Sequence, residues 1–153
     1  MINIPSKIFE RNINDIEIGI SEIHLYSSDE MNEAQIGYQI DTDGNEIKEW
    51  IGKNYLVIGN DSCCGDPIIV KTDEDKLPVY SMFHDDWDSI ELIANSFKQY
   101  ISILEKINGI DLENKDECKN ILEDIKSIVP NESYDYWEGL IRSAYEFLTD
   151  EDY

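Results

Sequence analysis

The chain reads as an α+β protein, with an antiparallel or mixed sheet and helices packed on one side of it. Three observations predict this. Apolar residues between Ile16 and Phe83 come in short strand-length runs, several of them in strict alternation with polar ones. From Ile90 onward the apolar period lengthens to about 3.6 residues. The strands come first and the helices last, an order that disfavours alternating βαβ units.

The elements follow in chain order. A short helical turn is expected around Ser6–Arg11. Ile16, Ile18 and Ile20 alternate with Glu17, Gly19 and Ser21, and Ile23 and Leu25 continue after a one-residue slip, which predicts a bulge near Ser21–Glu22. Asp29–Glu33 is a polar connection. Ile36, Tyr38 and Ile40 alternate again, and Asp43-Gly44-Asn45 tolerates positive φ, so a hairpin returning through Ile47–Ile51 is expected. Tyr55–Ile58 and Ile68–Val70 are continuous apolar runs suited to central strands, and Val79–Phe83 closes the set. Asp88 with Glu91 reads as the capping box of a helix through Ile90, Ile93, Ala94, Phe97, Ile101 and Leu104, stopped at Gly109. A second helix is expected over Lys115–Val129, capped by Asn114 with Glu117 reaching back and ended by Pro130. A third is expected over Ser133–Leu148, followed by a frayed acidic end.

Composition narrows the class. With 153 residues the chain suits a single domain over 1–153, in which 111–153 is a helical C-terminal extension beyond the turn at Asn108–Asn114. A hydrophobic fraction of 41% is too high for compositional disorder. No apolar run is long enough to span a bilayer, and the N-terminus lacks a secretory pattern. Cys63, Cys64 and Cys118 are odd in number, with no C-x-x-C pair, which suits reduced thiols and a cytoplasmic location. Asp61 and Asp66 beside Cys63–Cys64 oppose a redox-active thiolate. A net charge of −22, from 34 acidic and 12 basic side chains, opposes direct contact with nucleic-acid phosphates or anionic membranes. It permits a basic protein partner.

Candidate chemistry is sparse. His84-Asp85-Asp86-Trp87-Asp88 could hold a metal ion or move a proton, but neighbours on one loop do not converge as ligands must. The loop is expected to cap the Asp88 helix instead. Ser62 has no nucleophile elbow around it, and Asp41–Asn45 lacks the helices of a calcium loop. His24, in a strand pattern, is expected to be satisfied or exposed rather than a ligand. Trp50, Trp87 and Trp137 are expected in packing, with one of them free to serve as an interface anchor.

One set of ordered signals adds to this reading. Gly59, Asp66-Pro67-Ile68, Pro78-Val79-Tyr80, His84-Asp85, Ile93-Ala94, Ser96-Phe97 and Tyr100–Leu104 resemble the second half of the SUKH superfamily, the Smi/Knr-like proteins, over Tyr55 to Ile107. The family's opening Leu-Pro helix and aromatic–Asn–Gly segment have no counterpart in Met1–Glu30. The resemblance implies a bent, mainly antiparallel sheet of about six strands with helices around it. It implies no catalytic residue, metal or cofactor. It also implies an immunity protein or antitoxin that silences a cognate basic toxin, with nucleases as leading candidates. On that reading Asp61, Asp66, Asp85, Asp86 and Asp88 meet the toxin's basic cleft and Trp87 anchors the contact. The rival expectations are a regulatory scaffold acting through the helical tail and an enzyme or metal protein centred on His84 and Asp85.

Overall fold

The computed structural model describes residues 2–153. Six strands form one antiparallel sheet in chain order: β1 (Asp15–Ile18), β2 (Ser21–Leu25), β3 (Tyr55–Asp61), β4 (Asp66–Lys71), β5 (Val79–Phe83) and β6 (Asp86–Ala94). Helix α1 (Met31–Ala34) lies between β2 and β3. Helices α2 (Phe97–Asn108), α3 (Lys115–Ile128) and α4 (Tyr134–Thr149) follow the sheet. A single 3-10 turn, Ser6–Phe9, precedes it, where a helical turn is expected. Arg11 ties this turn to β2 by donating to the carbonyls of Leu25 (3.1 Å) and Tyr26 (2.7 Å).

Alternation sends side chains to two faces. One face carries Ile16, Ile18, Ile23, Leu25, Leu56, Ile68, Val70 and Val79, and packs against α2 and α4, with α3 packed on α4, to form the main core. Trp137 of α4 is fully buried there, and its indole N–H donates to the Ile93 carbonyl at 2.8 Å. The other face carries Val57, Ile69 and Met82, covered by Trp50 and flanked by aromatic side chains. Both faces of β3 and β4 are therefore buried, as their continuous apolar runs require.

Four expectations are corrected. The slip after Ile20 is a two-residue turn, Gly19–Ile20, with Ile18 opposite Ser21, and not a bulge. Residues 36–51 do not form a hairpin of strands. They carry two isolated bridges, Ile36 with Ile40 and Ile40 with Glu46, and positive φ at Gly37, Gly44 and Gly52 turns the segment across the second face. The side chain of Gln35 fixes its start. β2 pairs β3 only from Gly59 onward, so the edge of β3 at Val57 lacks a strand partner. The Gln35 amide supplies one, donating to Val57 O (2.7 Å) and accepting from Val57 N–H (3.1 Å).

The third correction concerns Asp86–Ala94, which is a strand and not the start of a helix. Val79–Phe83 therefore does not close the sheet. Its outer edge is completed by β6, with Phe83 opposite Asp86 and Tyr80 opposite Leu92. Register shifts on either side of this pairing disturb strict alternation and leave Ile90, Ile93 and Ala94 at helical spacing. The helix begins at Phe97, where the Ser96 hydroxyl accepts from Gln99 N–H (3.0 Å) and the Gln99 side chain accepts from Asn95 N–H (2.8 Å). Fourth, Glu117 does not reach back to cap α3. Its N–H, with that of Asp116, donates to the Asn114 side chain at 3.2 and 3.1 Å.

Candidate functional site

Three hairpin turns emerge at one edge of the sheet: Gly19–Ile20, Ser62–Gly65 and His84–Asp85. All six residues singled out in the sequence sit in the second and third of these hairpins or in the strands entering them. Asp61 and Asp66 face each other as the last pair of the β3–β4 ladder. Asp61 Oδ1 accepts from the Glu22 N–H (3.2 Å) and the Cys63 N–H (3.1 Å), joining the first hairpin to the second. Asp66 Oδ1 accepts from the His84 N–H (3.0 Å) and lies 3.0 Å from His84 Nδ1, joining the second to the third. These two carboxylates are half-buried and structural on one oxygen each.

The remaining residues lie in the third hairpin. Asp85, Asp86 and Asp88 are exposed, and Asp86 Oδ1 accepts from the Asp88 N–H at 3.2 Å. They cap no helix, since a strand follows them. With Glu49, His84 and Trp87 they border a shallow open groove. Trp87 is half-buried. Its ring meets Trp50 edge-on at 5.2 Å and lies 6.3 Å from Tyr38, and its indole N–H donates to the His84 carbonyl. The exposed apolar side chains at this edge are Ile20 and Phe83, 54% and 60% exposed, which the sequence reading did not single out.

Charge is divided along the molecule. No Lys or Arg occurs in residues 12–47, 54–70 or 77–97, so none lies in any of the three hairpins. Five of the ten lysines lie toward the opposite edge, where Lys48 and Lys53 line one cleft of about 820 Å³ and Lys7, Lys76 and Lys98 line another of about 700 Å³. The spacing of the basic residues was the available signal for this division. Only the strand order brings the three basic-free stretches together.

Other candidate groups have structural partners. His24 bridges Asp15 (2.6 Å) and Glu30 (3.1 Å), and the bond to Asp15, with help from Glu30, raises its pKa above the ordinary value. Cys63 and Cys64 are exposed, Cys118 is buried, and all three are free thiols. Contact with Cys63 pushes the Cys64 thiol up, opposite to an activated thiolate. Among the described residues, no group of three or more His, Cys, Asp or Glu side chains is placed to hold a metal ion. No helix of the structure is long and apolar enough to cross a membrane.

The fold and this edge define an α+β protein whose most distinctive surface is acidic and formed by β-turns. A family model for the SMI1/KNR4 family (SUKH-1) matches residues 7–103, more than half of the chain, and the chain belongs to that family. The match reaches back across β1, β2 and α1, well beyond the segment whose motifs carry the resemblance. Residues of α3 and α4 lie outside it. No curated protein and no solved structure matches the chain.

Proposed function

We propose that the protein acts by binding, in the cytoplasm, as an immunity protein that occludes the basic active-site cleft of a cognate toxin, with a nuclease as the leading candidate. The observation that carries this reading is the hairpin edge, where carboxylates of three hairpins (Glu17 and Glu22, Asp61 and Asp66, Asp85 and Asp86) gather with no Lys or Arg among them. Such an edge attracts a basic surface from a distance and speeds docking. Asp85, Asp86 and Asp88 supply exposed charge, while Asp61 and Asp66 hold the turns in place with one oxygen and present the other. Ile20 and Phe83 add apolar contact area that Trp87, packed against Trp50, does not. Family membership supports the same reading.

The test is co-purification with the toxin-like product of the adjacent gene at low and high salt. The expected result is a complex whose association rate falls by about tenfold or more between about 20 and 300 mM NaCl, and falls likewise in Asp85→Asn/Asp88→Asn. Absence of any complex at low salt would sink the proposal. A regulatory scaffold is the second reading. It is favoured by Ile128, Phe147 and Leu148, which are exposed on α3 and α4. Protection of α4 rather than the hairpin edge in the complex would select it.

A further inference from the structure

Between the hairpin edge and α4 lies a cleft of about 320 Å³. Asp61 of β3, Asp66 of β4 and Glu91 of β6 supply carboxylates to it, Ser81 and Tyr136 supply hydroxyls, and Phe83 forms an apolar wall. No Lys or Arg of this chain lines it. Each aspartate spends its Oδ1 on the fold, as described above, and among the described residues neither Oδ2 has a hydrogen-bond partner. Glu91 is likewise unpaired. Burial first, and Asp135 second, raise its pKa.

A second feature, in the core behind Tyr136, also calls for a donor or acceptor. Tyr100 is fully buried against Trp137, and its hydroxyl has no partner. Trp137 in turn packs edge-on, at 5.1 Å, against Tyr136 of the cleft. Ser81, only 8% exposed, lines the same cleft as Tyr136. Buried hydroxyls left without partners are uncommon in folded proteins unless water or a ligand completes them.

We infer that this cleft receives the guanidinium of an arginine side chain from the protein partner. The inference rests on the partner-binding reading above and names the chemistry of its anchor. Guanidinium is planar, carries donors in a fixed fork and is weakly hydrated, so acceptors from three different strands suit it. Its aliphatic stem would run along Phe83 and Ile68. A compact lysine ammonium reaches fewer of these acceptors at once. A divalent metal requires ligands converging on one point, which these carboxylates do not do.

The test titrates the isotope-labelled full chain with methylguanidinium chloride, with methylammonium chloride as the control, and follows backbone amides by NMR. The expected result is saturable shifts at Ser81, Glu91 and Tyr136 with a dissociation constant of about 1–20 mM, within a range too dilute to denature. Binding is expected to weaken about fivefold in Glu91→Gln, to weaken in Phe83→Ala, and to be unchanged in Glu33→Gln, an exposed carboxylate outside the cleft. Both weakening variants change exposed side chains, so the fold is retained. Shifts that do not saturate, that spread evenly over the acidic surface, or that saturate with undiminished affinity in Glu91→Gln overturn the inference. A partner complex that forms while the cleft ignores methylguanidinium also overturns it and leaves the partner reading standing. Saturable binding in the cleft without any partner complex supports the cleft's chemistry and removes the partner reading instead.

Discussion

Gly19 has φ +64°, and a Cβ built on it would meet the Ala144 backbone Cα at 2.4 Å. The first hairpin thus touches α4 through bare backbone. Gly19→Ala is expected to destabilise the protein by about 3 kcal/mol, from overpacking together with left-handed strain. Adding Ala144→Gly should not restore the loss, because the obstructing atom is Cα. Urea denaturation of the single and double variants checks both statements. His24 gives a residue-level prediction in pH. Its folded pKa is raised, chiefly by Asp15, so its contribution is complete below the unfolded value of about 6.5 and is lost as pH rises through the folded value. Between about pH 6 and pH 9, wild type should therefore lose more stability than His24→Asn. Equal losses in paired urea melts would remove the bridge to Asp15 and Glu30 from the account.

At the scale of elements, the β6–α2 junction separates two readings of one stretch. If a helix began at Asp88, truncating that side chain would remove its cap. In the structure Asp88 is an exposed strand residue and Ser96 is the cap. Ser96→Ala should cost about 1 kcal/mol, while Asp88→Ala should change stability by less than about 0.5 kcal/mol. Chemical denaturation at one pH decides between them, and the reverse order would restore the helix at Asp88. The cause of the misreading is local. The register of β6 shifts twice against β5, so its apolar residues mimic helical spacing. Residues 36–51 mislead in the same way, because their alternation accompanies a cover for the second face that is held by Gln35 and Trp50.

At the scale of the whole molecule, a net charge of −22 repels itself most strongly when the chain is compact. Screening should relieve this, so the thermal midpoint is expected to rise between about 20 and 300 mM NaCl. A flat or falling midpoint would show that local ion pairs offset the repulsion. The same salt should slow the partner's docking, so stability and association are expected to move in opposite directions. This opposition follows from one charge distribution, acidic and free of Lys and Arg at the hairpin edge, with half of the lysines toward the other.

By itself, the sequence determined the α+β class, the central strands β3 and β4, the bodies of α2, α3 and α4, and the acidic surface. Each of these depends on neighbours in the chain: apolar runs, 3.6-residue spacing, caps at Asn114 and stops at Pro130. Tertiary structure decided the rest. It made Asp86–Ala94 a strand, because the open edge of β5 needed a hydrogen-bonding partner. It set Trp87 edge-on against Trp50, a contact between residues far apart in the chain. It also brought Asp61, Asp66 and Glu91 from three strands to one cleft beside Tyr136, a convergence that linear spacing cannot express because it depends on strand order and on where α4 crosses the sheet.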